Sequence, residues 1–540
     1  MPTKKLLSIT NLKKYFPVAK SSVFQKEQLY VRANEDITLD IYEGETLGVV
    51  GESGCGKSTL GRVLLQLYSQ TAGATVYYGK TLEEMTPAYV ADTLKNLSKY
   101  RAAYKKAVAK VADLEKKMEA AGGEEQADFY LHQNLNLARC EAQSALNNMV
   151  KIIGGFFAVE KDNAGIALLY EIYGLNRKKN VLKAALAKQK LSLSHVEEQE
   201  ADGSAKAGDL KKKDGLNAKI ADLDSRIEAM DQQIAEKKKA LADLKKQYEG
   251  NAEFAKYEAM LDDGIDLARL KYSEMRLLRR ELQIIFQDPY SSLNPRFTIG
   301  QIIEEGLVTH NFYKHGSPKL RDHITETMVK CGLQEYMLYR YPHQFSGGQR
   351  QRISIARALA VQPRFVVCDE CVSALDVSIQ SQIINLLQEL KEKEKLTYMF
   401  ISHDLSVVRY ISDRICVMYL GNIVELADAK TVFEDPRHPY TVALLSSIPT
   451  TDMDSLKKER ILLEGNIPSP IKPPSGCKFH TRCYMACEKC KRVPPPLREI
   501  EPGHVVACHF PEKKIGENGE YLFEVGTERK TVRGSANDGQ

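Results

Sequence analysis

The stretch Gly51-Glu52-Ser53-Gly54-Cys55-Gly56-Lys57-Ser58-Thr59 constrains this chain more than any other. It follows the strand-like Thr46-Leu47-Gly48-Val49-Val50 and precedes Leu60, Val63, Leu64 and Leu67 at helical spacing. The loop thus joins a strand to a helix, which is where a phosphate cradle has to sit. Its glycines let backbone amides wrap phosphate oxygens, Lys57 neutralises the β and γ oxygens, and the Ser58 hydroxyl reaches Mg²⁺. Gly51, Ser53, Gly54, Cys55, Gly56, Lys57, Ser58 and Thr59 are therefore the first candidate nucleotide contacts, on an α/β fold.

A second constellation lies far downstream, in Phe345-Ser346-Gly347-Gly348-Gln349-Arg350-Gln351-Arg352 and Arg364-Phe365-Val366-Val367-Cys368-Asp369-Glu370. Ser346, Gly347, Gly348 and Gln349 open a helix, and its bare N–H groups and positive dipole end form a surface for a terminal phosphate. This is half of an ATP site that a second molecule must complete. Adjacent acids leaving a buried strand point to opposite sides, so Asp369 is expected to hold Mg²⁺ through water while Glu370 faces the water that attacks the γ-phosphate. The strand Leu282 to Phe286 ends in Gln287-Asp288-Pro289, which puts a carboxamide able to bind Mg²⁺ or water at a mobile bend. The strand Thr397 to Ile401 ends in Ser402-His403, the expected place for a γ-phosphate sensor.

Composition bounds the rest. At 540 residues and 43% hydrophobic, the chain can bury a sizeable core in two or three structural units. Its formal charge of +5 is too small to argue for nucleic acid. No apolar h-region opens the chain and no apolar run approaches a membrane span, so a cytosolic, soluble or peripheral protein is expected. From about Leu82 to Tyr272 the sequence turns Ala, Lys, Glu and Leu rich. Leu97, Tyr100, Tyr104, Ala107, Val111, Leu114 and Met118 keep heptad spacing before Gly122-Gly123, and so do Leu216 through Tyr248, broken at Lys237. Two such arms predict an antiparallel coiled-coil hairpin with a small globular tip, each arm about 45 Å long at about 1.5 Å per residue. The Lys-rich outer face at Lys237-Lys238-Lys239 reads as a solvated surface.

Taken together, the motifs resemble the nucleotide-binding subunit of ATP-binding-cassette (ABC) proteins, a P-loop NTPase fold with a helical signature subdomain. Gln287 to Arg296, Val372-Ser373-Ala374-Leu375-Asp376 and Pro436-Arg437-His438-Pro439-Tyr440-Thr441 narrow the resemblance to oligopeptide and dipeptide importer ATPases, most closely the F-type subunit of the paired D and F ATPases. The resemblance spans about residues 1–80 and 272–512. It implies the Q-loop role for Gln287, the D-loop for Asp376, the switch role for His403, and an adenine-stacking ring at Phe16 or its neighbour Tyr15. It also implies a head-to-tail D-type ATPase partner, two membrane permeases, an extracellular peptide-binding protein acting indirectly, and a place at the cytoplasmic face of the membrane. Cys371 departs from the family's usual Pro or Ser, and Phe345 replaces the usual Leu.

The expected division is 1–80 and 272–435 for the nucleotide-binding domain, 81–271 for the insertion, 436–512 for a small Cys-rich C-terminal domain, and 513–540 for a partly flexible tail. Five of the eleven cysteines fall between Cys477 and Cys508. Turn-rich connections allow Cys477, Cys483, Cys490 and Cys508 to converge on one centre. In some family members this pattern holds an iron–sulfur cluster; a [4Fe–4S] cluster, zinc and uncoordinated thiols all remain open. A soluble, chromosome-maintenance-type (SMC) ATPase acting on DNA is the rival function, since such proteins also place a coiled coil between the phosphate loop and the signature.

Overall fold

The computed structural model describes residues 4–19, 29–123, 129–159, 163–201, 207–448, 461, 463, 465–511, 514–515, 521–525 and 528–531. An antiparallel sheet comes first. The long strands β1 (Lys5–Pro17) and β2 (Tyr30–Tyr42) pair with each other, and β1 pairs on its other side with β4 (Ala72–Tyr77). Between them run β3 (Thr46–Val50), all five residues buried, and α1 (Lys57–Leu64).

The insertion follows β4. After the short α2 (Leu82–Met85) and α3 (Ala88–Lys95) come α4 (Leu97–Ala120), α5 (Phe129–Ile153), α6 (Asn163–Ala201) and α7 (Ala207–Lys246), then α8 (Ala252–Glu258). Both heptad stretches are helical, but they do not pair with each other: α4 lies along α5, and α6 along α7. The single hairpin expected from the sequence is thus two hairpins. Heptad spacing shows that a helix has an apolar seam and does not say which helix fills it. The chain runs out and back twice, so the packed core forms at the root and not at a tip. There Phe156 sits edge-on between Tyr248 and Phe254, against Tyr89, Met149, Ile153 and Leu241. With 39 residues, α6 spans about 58 Å at about 1.5 Å per residue. Lys237, the break in the seam, reaches across to Glu171 at 2.7 Å.

The chain returns at β5 (Ile265–Asp266), which pairs antiparallel with β4. This is earlier than the expected boundary at 271: Ile265 and Leu267 are buried in the nucleotide domain's core, among Leu7, Tyr77 and Leu278. Next come α9 (Tyr272–Leu278), β6 (Leu282–Ile285), α10 (Pro289–Ser292), α11 (Ile299–Thr309), α12 (Pro318–Lys330) and α13 (Gly347–Leu359). Leu307, Ile324, Met328 and Ile353 bury one face of α11 to α13 as a helical subdomain. Finally β7 (Phe365–Asp369), α14 (Val377–Glu394), β8 (Thr397–Ile401), α15 (Leu405–Ile411), β9 (Arg414–Tyr419) and β10 (Asn422–Asp428) complete the main sheet with β11 (Arg498–Glu501) and β12 (His504–Val506).

That sheet has the order β11-β12-β10-β9-β3-β8-β7-β6. Strands β9, β3, β8, β7 and β6 are mutually parallel, and the inner ones read as apolar runs because both faces are covered. Strands β12 and β11 extend the same sheet, and Tyr440 and Phe479 share its core, so residues 436–511 do not form the separate small domain that their composition predicts. Within the tail, Lys514–Ile515, Tyr521–Val525 and Glu528–Thr531 pair as a three-stranded antiparallel sheet, and the rest of the expected partly flexible segment 513–540 lies outside the described residues.

Candidate nucleotide site

Parallel pairing decides which side chains meet. Because β3, β8, β7 and β6 are neighbours pointing the same way, the residues that follow them emerge along one sheet edge: the phosphate loop, Ser402-His403, Asp369-Glu370 and Gln287. Binding sites of open parallel sheets form beyond such carboxyl ends.

The phosphate loop is shaped by glycine. Gly51 has φ +147° and Gly56 φ +102°; a Cβ at Gly51 would lie 2.2 Å from the Met418 carbonyl oxygen, and at Gly56 2.0 Å from that of Ala33. Neither position admits another residue. Gly56 caps α1, so Lys57, Ser58 and Thr59 form its first turn, whose amides lack helical acceptors. Ser53 and Gly54 are exposed at the crest of the loop. The buried Lys57 ammonium donates to the carbonyls of Gly51 at 2.8 Å and Glu52 at 3.2 Å, inside the ring that a phosphate oxygen would share. Burial pushes the Cys55 thiol up, so Cys55 packs as an apolar residue, leaving its backbone as its contribution to the loop.

Asp369 ends β7 and is 2% exposed. Arg62 Nη2 donates to its Oδ2 at 3.3 Å, while Oδ1 is buried without a hydrogen-bond partner. An orphaned carboxylate oxygen at the end of a strand that packs against α1 fits a Mg²⁺ that Asp369 would hold with Ser58 of that helix. Strand alternation is not what separates the two acids. β7 stops at Asp369, and Glu370 turns through a left-handed φ of +49°, a conformation costly for a non-glycine residue and common at functional sites. Its amide donates to the Ile401 carbonyl at 3.0 Å, which pins the turn. Gln287 Nε2 donates to Glu370 Oε2 at 2.9 Å, and His403 Nδ1 lies 3.7 Å from the same oxygen. The Glu370 carboxylate, the strand-end carboxamide and the imidazole thus share one point.

Ser346 caps α13: its Oγ accepts from Gln349 N at 3.4 Å, and Gln349 Oε1 accepts from Ser346 N at 3.1 Å. Ser346 and Gly347 are exposed, Gly348 packs beside Ile379, and Asp376 caps the adjoining α14. Among the described residues no hydrogen bond or ion pair joins this motif to the phosphate loop. Phe16 is not brought to the loop by any contact either: its ring stands edge-on to Tyr68 at 5.4 Å under the Lys14 ammonium, while Tyr15 donates to Glu35.

The C-terminal segment supplies support that sequence reasoning missed. Arg482 grips Glu52 of the phosphate loop with two bonds, 2.6 and 2.9 Å, and the Glu52 amide donates to the Tyr440 hydroxyl at 2.8 Å. Tyr440 is fixed by Tyr419 and Phe479, its ring centroid 4.8 and 5.3 Å from theirs. Buried Glu425 accepts from the Arg437 and His438 amides and meets His504 Nε2 at 2.8 Å. His438 Nδ1 accepts the Tyr440 amide, and burial lowers its pKa to about 4. The only signal in the sequence was Glu52 itself, an acid in a phosphate loop that must be neutralised from outside.

Cys477, Cys483, Cys490 and Cys508 line one small cavity of about 20 Å³ with Phe479 and Met485. Burial, with the neighbouring thiols adding to it, pushes Cys483 and Cys508 up to about 12. Cys487 Sγ lies 3.6 Å from Cys490 Sγ. The donor set suits iron–sulfur or zinc in kind but not in placement: among the described residues, no three His, Cys, Asp or Glu side chains converge closely enough to hold a metal ion.

A parallel sheet presenting a phosphate loop and the adjacent carboxylates Asp369 and Glu370 at one edge, with a helix opened by Ser-Gly-Gly, defines an ATP-binding-cassette nucleotide domain. The family described as ABC transporter matches residues 34–202 and 238–373, and the oligopeptide/dipeptide transporter C-terminal region matches residues 424–490. The chain belongs to the ABC transporter family, in the branch of oligopeptide transport ATP-binding proteins. It is 53% identical over 248 residues to the putative oligopeptide transport ATP-binding protein YkfD of Bacillus subtilis, covering 46% of this chain and 75% of that one. To AppF of the same organism it is 51% identical over 253 residues, 46% and 76% of the two chains. To OppF of Salmonella typhimurium it is 52% identical over 246 residues, 45% and 73%. The match at 424–490 tells against the chromosome-maintenance reading, whose only support was the position of the coiled coil.

Proposed function

We propose that the chain is the energy-coupling ATPase of an importer for oligopeptides or dipeptides, working head-to-tail with a second, D-type ATPase on two membrane permeases, with this chain as the F-type partner. The observation that carries it is the meeting of Gln287, Glu370 and His403 around one carboxylate next to Asp369, on the sheet edge that bears the phosphate loop, while Ser346 and Gly347 are exposed. Glu370 accepts the proton of the attacking water, Gln287 orients that carboxylate and reports occupancy at the bend before α10, and His403 holds the γ-phosphate oxygens. Lys57 and the α1 amides hold the β and γ phosphates. Ser58, Asp369 and Gln287 would hold Mg²⁺, which would supply charge neutralisation at the phosphates. The signature Ser346, Gly347, Gly348 and Gln349, with Asp376, completes the partner's site, and Phe16 stacks on adenine by moving off Tyr68.

No described helix is long and apolar enough to cross a membrane, which suits a peripheral subunit at the cytoplasmic face, held by permeases and fed indirectly by an extracellular peptide-binding protein. Extraction in mild detergent tests this. Two permeases and a second ATPase should accompany the chain; DNA in their place would contradict the reading. The finer reading of the cysteine cavity, a [4Fe–4S] cluster, zinc or uncoordinated thiols at Cys477, Cys483, Cys490 and Cys508, stays open: four thiols line one cavity, but as placed they do not converge on a metal ion. Iron and sulfide in anaerobically purified protein, lost in Cys483→Ser, would mark the cluster, stoichiometric zinc the zinc site, and neither metal free thiols.

A further inference from the structure

Arg62, in the last turn of α1, bridges two partners with the two ends of its guanidinium. Nη2 donates to Asp369 Oδ2 at 3.3 Å, and Nη1 donates to the Tyr68 hydroxyl at 3.4 Å. Tyr68 is itself held. Its amide and that of Leu67 donate back to the Arg62 carbonyl at 3.3 and 2.9 Å, and its ring packs on the domain core, edge-on to Phe16. The arginine is therefore anchored on the side away from the carboxylate. The ground beneath it is close-packed as well: a Cβ at Gly61 would lie 2.7 Å from Val367 of β7 and 3.2 Å from Ile401 of β8, so α1 rests directly on those strands. Ser58 precedes Arg62 by four residues, which puts its hydroxyl on the same face of α1, one turn closer to the phosphate loop.

This arrangement makes the two oxygens of Asp369 unequal. A carboxylate free to turn about its Cβ–Cγ bond offers either oxygen to a metal. Tied through Oδ2, Asp369 offers only Oδ1, the atom that is buried without a hydrogen-bond partner among the described residues. The carboxylate is sealed from water while the Arg62 side chain is half-buried, so the charge-assisted bond works where solvent competes little. A planar guanidinium also sends its donors in fixed directions, which an ammonium does not, and so can hold Tyr68 and Asp369 at once.

We propose that Arg62 is a positioning residue for the metal carboxylate: braced by Tyr68, it holds Asp369 through Oδ2 so that Oδ1 is the oxygen presented to Mg²⁺. The inference rests on Asp369 being the metal carboxylate, and Arg62 acts through it. Full-length wild type, Arg62→Ala, Arg62→Lys and Tyr68→Phe are titrated calorimetrically with AMP-PNP, once with Mg²⁺ and once with EDTA. The ratio of the two affinities is the reading. It should fall about ten- to a hundredfold in Arg62→Ala, as is usual when the partner of a metal ligand is lost, with the affinity in EDTA unchanged. Arg62→Lys keeps the charge but not the bridge and should recover only part of the ratio, while Tyr68→Phe should lose a severalfold part of it with the charge intact. These two carry the test even where Arg62→Ala does not fold. A wild-type ratio in both would leave charge balance alone and overturn the positioning role. Equal losses with and without metal would overturn it too, since they mark a general loosening of the loop. A wild type that binds AMP-PNP no better with Mg²⁺ than with EDTA would overturn the reading of Asp369 and this inference together, an outcome distinct from the other two.

Discussion

The insertion and the C-terminal segment both depart from a bare nucleotide-binding domain, and they are joined to it in opposite ways. The insertion leaves and returns on the adjacent antiparallel strands β4 and β5, and buries Phe156, Phe254 and Tyr89 in a core of its own. The C-terminal segment has no such independence. It adds β11 and β12 to the main sheet, shares the domain's core through Tyr440 and Phe479, and holds the phosphate loop through Arg482 and Glu52. An element rooted on two paired strands can be removed where they pair. One interleaved with the core cannot.

The sharpest way to break this contrast is to remove each part. Truncation after Asp435 strips Tyr440, Phe479 and Arg482 from the core and the loop, and should yield insoluble protein or protein that no longer binds ATP. A soluble, ATP-binding truncation would show that the segment is an appendage after all.

Single contacts should follow the same ranking. Arg482→Ala leaves Glu52 unpaired beside the loop, where the arginine side chain is only 6% exposed, and should cost about 3 kcal/mol of stability with weaker ATP binding. Lys319→Ala breaks the ion pair that joins α12 to Glu198 of α6, whose lysine is 53% exposed, and should cost less than about 1 kcal/mol. Denaturant titration of the two variants reads both values, and equal losses would erase the distinction.

Acid should also act on the C-terminal segment, through His438. His438 is neutral in the fold, with its pKa lowered from 6.5 to about 4, because its buried Nδ1 must accept the Tyr440 amide. The unfolded chain binds the proton first, so this contribution is complete above about pH 6.5 and is lost as pH falls toward 4, by about 3 kcal/mol. Melting curves of wild type and His438→Asn across that window should converge at low pH. Parallel curves would remove His438 from the account.

The smallest effect is expected from replacing residues 82–263 with a short Gly and Ser linker, which keeps Ile265 and Leu267 in the core. The product should melt within a few degrees of wild type and still be stabilised by Mg-ATP. Loss of folding would show that the root of the insertion is part of the domain.

Much of this was legible in the sequence because the chemistry there is local. The phosphate loop, the acid pair, Gln287 and His403 each lie at the end of an apolar strand, and parallel order brings strand ends together without further information. What stayed hidden depends on contacts distant in sequence. Heptads marked Leu97–Met118 and Leu216–Tyr248 as helices but not their partners α5 and α6. Cysteine density suggested a domain where β12 pairs with β10. Nothing near Arg482 announced that it would reach Glu52. The left-handed turn at Glu370 was equally invisible, since Cys371 gives no cue to positive φ one residue earlier.

Glu370→Gln tests the central claim most directly. The substitution keeps the shape and the contact with Gln287 while removing the base, so the purified variant should retain ATP, form a nucleotide-sandwiched dimer with its partner ATPase, and release phosphate slower by about two to four orders of magnitude. Near-normal turnover at the phosphate-loop site of this chain would show that Glu370 is not the base and that the convergence of Gln287 and His403 upon it serves another end.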